Sequence, residues 1–226
     1  MGEKYYRRPT MKRVEIIVEG QTEQEFVSTI LAPYLYANGV GMVMPIRIRT
    51  SATGRGGFTN YQHLKNDVVR ALSSKDPNLV VSMFVDFFRI PQKYMPGYDV
   101  WGNEPNHFRQ VTLMEAEISK DIADRRFVPY IQMHEFEALL FSSNTGVRKY
   151  WSVDKCQMVE EVIDAFDNPE CINTSPDGAP SKRLLAISPD YQKVLDGNIL
   201  ALEVGIDAIL AQCPRFAAWV HELLIH

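Results

Sequence analysis

Acidic side chains recur in this chain where apolar, β-rich runs come to an end. Val14-Glu15-Ile16-Ile17-Val18 leads straight into Glu19 and Gly20, and Leu79-Val80-Val81-Ser82-Met83-Phe84-Val85 leads into Asp86. A third cluster, His134-Glu135-Phe136-Glu137, follows the short apolar run over residues 127–133. Carboxylates brought to one place repel each other and raise one another's pKa unless a cation lies between them. The chemistry this pattern suggests is therefore a hard divalent ion, magnesium or manganese, held by Glu19, Asp86 and either Glu135 or Glu137. Such an ion polarises a phosphate and lowers the pKa of a bound water. Glu135 stands nearer its strand end than Glu137 and is the expected third ligand. Each acid also has a plain structural reading: Glu19 as a surface acid on a tight turn, Asp86 as a cap on the loop that follows it.

The elements that must position these acids are legible as periodicities. Val14, Ile16, Ile17 and Val18 are β-branched, and a carboxylate at the C-terminal edge of such a strand faces the ligand crevice of an open α/β sheet. A helix follows, with Thr22 read as its N-cap, Glu25 as the capping-box partner, and Phe26, Val27, Ile30 and Leu31 at helical spacing. It ends near Ala37-Asn38-Gly39. Over 41–50, Val43, Ile46 and Ile48 alternate with Arg47 and Arg49 as in a half-exposed strand. Residues 51–60 form a Gly-, Ser- and Thr-rich loop in which Gly56, Gly57 and Thr59 could cradle phosphate, although Walker spacing is absent.

A helix over 61–72 precedes the strand ending at Asp86, whose apolar run predicts burial on both faces. This β-α-β-α-β order predicts a parallel sheet with right-handed crossovers, so that the acidic strand ends share one edge. An ordered excursion over 89–105, a helix over 106–125 and a fourth strand over 127–133 follow. Past Ser142 the signals are helical, over 154–166, 199–212 and 216–225. The expected architecture is α/β and Rossmann-like: a mainly parallel sheet of about four strands flanked by helices, with a helical C-terminal part. Residues 1–10 read as a loose leader, 11–142 as the core, and 143–226 as a helical extension packed on it.

Composition narrows the function. The 226 residues are 46% hydrophobic and 23% charged, with a formal net charge of −4, so any grip on nucleic acid must come from a local site and not from bulk charge. Cys156, Cys171 and Cys213 are widely spaced and form neither a disulfide framework nor a zinc ribbon pattern, which predicts a reducing cytoplasm. His134-Glu135 lacks the second histidine of a zinc helix. No apolar run approaches the ~18 residues of a membrane span. The other histidines have no evident Ser or Cys nucleophile beside them.

The motifs Val18-Glu19-Gly20-x-Thr22-Glu23, Asp86 and Pro129-Tyr130-Ile131-Gln132-Met133-His134-Glu135-Phe136-Glu137-Ala138-Leu139-Leu140-Phe141 are followed by four more. These are Pro169-Glu170-x-Ile172-Asn173, Ala179-Pro180-Ser181-Lys182-Arg183-Leu184, Tyr191-x-Lys193 and Cys213-Pro214-x-Phe216-x-x-Trp219. Together, and covering nearly everything after Met11, they resemble an uncharacterised bacterial and archaeal family with a Toprim-like core. Toprim proteins, among them topoisomerases, primases and overcoming-lysogenization-defect nucleases, hold magnesium with a Glu after the first strand and an Asp-x-Asp after a later one. Glu19 and Asp86 match the Glu and the first Asp, while Phe88 stands where the second Asp would fall. Glu135 or Glu137 as its replacement is our own reading of the residues.

Lys182 and Arg183, in a Ser-Lys-Arg step with Ser181 behind Pro180, are candidates to neutralise phosphate oxygens. Lys182 joins Glu19 and Asp86 as a candidate catalytic residue, and Gly20 and Thr22 are candidate substrate contacts at the turn. The resemblance implies a Mg2+-dependent, nuclease-like phosphodiester hydrolase, acting on nucleic acid with an AAA- or ABC-type ATPase partner in genome maintenance or defence. Phe88 points to the alternative, a catalytically reduced module that binds a protein, nucleotide or nucleic-acid partner.

Overall fold

The computed structural model describes residues 11–49, 60–88, 90–173 and 176–226. The leader over 1–10 and the candidate phosphate cradle at Gly56, Gly57 and Thr59 lie outside the described residues. Among the described residues five parallel strands make the sheet: β1 (Lys12–Val18), β2 (Val40–Arg47), β3 (Leu79–Asp86), β4 (Phe127–Val128) and β5 (Ile131–Gln132). Their order is β2-β1-β3-β4, with β5 also on β3. β4 and β5 continue one register along β3, Val81 facing Phe127 and Asp86 facing Gln132. The interruption between them falls at Pro129, which has no N–H to give the ladder, so the single fourth strand read over 127–133 becomes two short ones.

Helices supply the crossovers. From β1 the chain enters α1 (Gln21–Phe26), widens into a π turn (Val27–Leu31) and continues as α2 (Ala32–Ala37). Pro33, in the first turn of α2, cannot donate the regular helical bond, and the neighbouring Ala32 amide reaches back to the Val27 carbonyl. The helix begins two residues earlier than Thr22 suggests, with Gly20 as N-cap. α3 (Tyr61–Leu72), capped by the Asn60 side chain, joins β2 to β3. α4 (Tyr98–Trp101) and α5 (His107–Ile122), the latter capped by Asn106, join β3 to β4.

A fully buried 3-10 segment (Phe136–Ser142) follows β5. Among the described residues six α-helices follow: α6 (Thr145–Tyr150), α7 (Val153–Asp164), α8 (Pro180–Ile187), α9 (Leu195–Val204), α10 (Ile206–Gln212) and α11 (Pro214–Ile225). The single helix expected over 199–212 is broken into α9 and α10 at Gly205, whose φ of 79° is open to glycine and strained for other residues.

All eight residues of β3 are buried, and they alternate between two cores. Val80 and Phe84 pack with Val14, Ile16 and Val18 under α1, α2 and the C-terminal helices. Leu79, Val81, Met83 and Val85 pack with α3 and α5 on the other face. The C-terminal helices are thus the outer layer of the same sheet. Rings from distant parts of the chain close the first core: Tyr130 stacks on Trp219 with centroids 4.5 Å apart, and Phe26 meets Phe136 edge-on at 5.2 Å.

Ser82 fastens these layers together. Its Oγ donates to the Val128 carbonyl at 2.6 Å and accepts from the Trp219 indole at 2.9 Å, all in a dry interior. Ser82→Ala leaves a buried indole N–H without an acceptor, at an expected cost of about 1–3 kcal/mol. Urea unfolding followed by circular dichroism measures it; a loss below roughly 0.5 kcal/mol would show that these bonds do not fasten α11 to the sheet.

Candidate functional site

The strand order locates the site before any side chain is considered. The chain leaves β1 for β2 on one side and returns to β3 on the other, so the C-terminal ends of β1 and β3 form a topological switch point, where open α/β sheets have their crevice. Glu19 and Gly20 follow β1 and Asp86 ends β3 at this place.

Gly20 lets the chain turn tightly enough for Glu23 to fold back: the Glu23 Oε2 accepts from the Gly20 amide at 2.9 Å. A Cβ on residue 20 would lie 3.1 Å from that same oxygen. Glu23, not Glu25, therefore closes the start of α1, and it is 3% exposed. Asp86 Oδ1 accepts from the Phe136 amide at 2.8 Å. The residue read as a possible cap on its own following loop thus caps a segment fifty positions on.

The side chain that gathers these acids is Lys193, in the connection between α8 and α9. Its Nζ lies 3.2 Å from Glu137 Oε2, 3.5 Å from Asp86 Oδ2 and 3.7 Å from Glu23 Oε1. Glu137 is completely buried, and neither of its oxygens makes a well-formed hydrogen bond; Lys193 is its charged partner. Burial pushes the Asp86 carboxyl well above the usual range. Lys193 opposes this, and Glu23, Glu19 and Glu137 add to it. Burial likewise raises Glu137 against the pull of Lys193, with Glu135 adding repulsion. Burial works against the charged form of Lys193 too, but Asp86, Glu137 and Glu23 outweigh it and hold the ammonium protonated beyond the ordinary lysine range.

Of the two acids expected from the third cluster, Glu137 is the one beside Asp86 and Lys193. Glu135 is buried as well, but its Oε2 accepts from the Ser181 amide at 3.0 Å, in the first turn of α8. Thr22 is buried in the first turn of α1. Lys182 is exposed on the first turn of α8. Arg183 is engaged structurally: its Nε donates to the Gly178 carbonyl at 2.8 Å and its guanidinium lies 5.0 Å from the centre of the Phe166 ring. Ser181, Lys182 and Arg183 thus start a helix that Glu135 ties to the segment after β5.

Two members of the cluster, Glu23 and Lys193, carry no role in the sequence reading. Glu23 was open to detection as the acid three residues beyond a glycine N-cap. Lys193 lies in a connection without periodicity; the Tyr191-x-Lys193 motif marks it in the sequence, but only the fold shows that it reaches the acids.

As they stand, no three His, Cys, Asp or Glu side chains among the described residues are grouped closely enough to hold a metal ion. No helix among them is long and apolar enough to cross a membrane. A family model described as a domain of unknown function, DUF4276, matches residues 18–224. The comparisons with curated proteins and with solved structures gave no match.

His134, which follows β5, is 3% exposed and adopts a positive φ of 63°. Burial, and then the neighbouring His107, lower its pKa to about 4. The unfolded chain protonates this residue near pH 6.5. Below that pH the unfolded state therefore gains a proton that the folded state refuses until about 4, and stability falls across this window by up to about 3 kcal/mol. His134→Asn keeps a residue tolerant of positive φ and removes the titration. Unfolding free energies from pH 7 to 4.5 should decline less steeply in the variant; parallel curves would refute the assignment.

Proposed function

The chain belongs to the DUF4276 family, and we propose that it is a Toprim-like phosphodiester hydrolase that works with magnesium or manganese at the β1–β3 crevice. One observation carries this reading. Glu137 is a fully buried carboxylate without a hydrogen bond to either oxygen, next to Asp86 and Glu23, and a single ammonium serves all three. If all three acids are ionised, the cluster keeps negative charge in a poorly solvated place, which calls for further positive charge.

The donor set is all oxygen and suits a hard cation. The lysine contacts of 3.2–3.7 Å exceed the ~2.1 Å of magnesium–oxygen bonds, so the carboxylates would have to draw inward around a metal. Asp86 and Glu137, with Glu19 and Glu23 beside them, are the residues that would hold it. When bound, the ion supplies charge stabilisation at a phosphate and a water of lowered pKa.

The chain's own residues set the conditions for that chemistry. The Phe136 amide fixes one oxygen of Asp86 and leaves Oδ2 turned toward the cluster. The buried 3-10 segment keeps water from Glu137. Glu19 after β1 and Asp86 after β3 correspond to the Toprim Glu and first Asp, and Glu137, from a different element, takes the part that Phe88 cannot. Lys182, with Ser181, is the candidate phosphate contact. Nucleic acid as substrate, an AAA- or ABC-type ATPase as partner and a cytoplasmic site of action belong to the same reading.

A second reading has its own support. Lys193 already supplies one positive charge to the cluster, and Phe88 removes an acid, as in a reduced module that binds a partner without hydrolysis. Metal titration separates the two. Magnesium or manganese should raise the melting temperature of the native chain by binding the folded state alone. Asp86→Asn should abolish that rise, Glu19→Gln should diminish it, and nuclease activity assayed with the partner ATPase should disappear in both. A native protein that binds neither ion and cuts neither DNA nor RNA would leave the second reading in place.

A further inference from the structure

We infer that Lys193 is a built-in counter-ion that competes with a divalent cation for the Asp86–Glu137–Glu23 cluster and must withdraw before the cation binds. The inference rests on the metal reading of this site and concerns how the site is regulated.

The contacts of Lys193 are those of a shared, loosely matched charge. A charge-assisted N–H···O bond to a carboxylate runs ~2.7–2.9 Å, yet the three distances here are 3.2, 3.5 and 3.7 Å. A lysine selected only to fasten the fold would be expected to satisfy Glu137, whose oxygens instead remain without hydrogen bonds. The ammonium sits at the one point that the three acids have in common, which is also where a bridging cation would gain most from them. Both cannot occupy it, since like charges a few ångströms apart in a poorly solvated site repel strongly.

The side chain also has somewhere to go. It is 41% exposed, against 0–9% for Asp86, Glu137 and Glu23. It lines an open groove of about 680 Å³ between α1 and α9, together with Glu25, Thr29, Leu195 and Ile199. The aliphatic stem of a withdrawn lysine can lie on Leu195 and Ile199 with its head in water near Glu25. Lys193 is the exposed member with room to withdraw, while the buried carboxylates would draw inward around the cation.

Calorimetric titration of the full chain with magnesium chloride and with manganese chloride tests the competition. Lys193→Met and Lys193→Gln each remove the charge and keep most of the bulk, and each should bind the ion at least tenfold more tightly than the native protein. Lys193→Arg, which keeps a cation, should bind no more tightly than the native protein.

An independent readout uses the native chain alone. The reactivity of Lys193 toward an amine-acylating ester, mapped by mass spectrometry, should rise several-fold at saturating magnesium, because the ammonium has left its carboxylates. Unchanged or weaker affinity in the neutral variants, or unchanged acylation in a native protein that binds the ion, overturns the inference while the hydrolase reading stands. No binding by any of the variants or the native chain overturns both. Binding by the neutral variants alone supports the competition and assigns the native chain to the second reading.

Discussion

The structure around the crevice is organised by the sharing of one partly exposed ammonium among three buried carboxyl groups, with Glu19 near them. Removing a carboxylate from water costs several kcal/mol unless a partner compensates it. The packing nearby compensates in part, with the Phe136 amide on Asp86 and the Gly20 amide on Glu23. Glu137 receives only the ion pair. The cluster is held close together by those bonds and is not neutralised by them.

Three separate stretches must agree to bring the acids together. The Gly20 turn aims Glu23, the end of β3 aims Asp86, and the segment after β5 aims Glu137. Their agreement comes from apolar contacts directly behind the site. Phe136, whose amide holds Asp86, packs its ring against Phe26 of α1, and Phe26 in turn meets Phe84 of β3 and Phe216 of α11. One aromatic group thus joins all the elements that carry an acid. A second bond of the same kind lies further out, where buried Glu170 accepts from the Arg215 and Phe216 amides at the start of α11.

Much of the fold was legible because its signals are local and repeated. The double-faced apolar run of β3, the β-branched residues of β1 and the helical spacing of α3 and α5 each declare an element within a dozen residues. The alternation of these elements then gives the parallel sheet. Departures arise where one residue overrides a pattern. Pro129 interrupts the fourth strand, Gly205 breaks a helix that periodicity runs straight through, and Gly20 moves the first helix start away from Thr22. The site was half legible for the same reason. Glu19 and Asp86 announce themselves as acids at strand ends, whereas Lys193 reaches the cluster only through tertiary packing, 107 positions from Asp86. The choice between Glu135 and Glu137 turned on direction: one faces the start of α8 and the other the crevice, and position along the chain does not distinguish them.

Stability alone does not explain Glu137. Replacing buried ionic groups by apolar residues of similar size is often neutral or stabilising. Asp86 has a structural duty in capping Phe136, and Glu23 has one in closing the start of α1. Glu137 accepts no hydrogen bond and closes no helix, and the fold carries the cost of burying it. A buried acid whose close charged partner is a lysine shared with two other carboxyl groups, at the switch point of a parallel sheet, is the feature on which the proposed metal site rests.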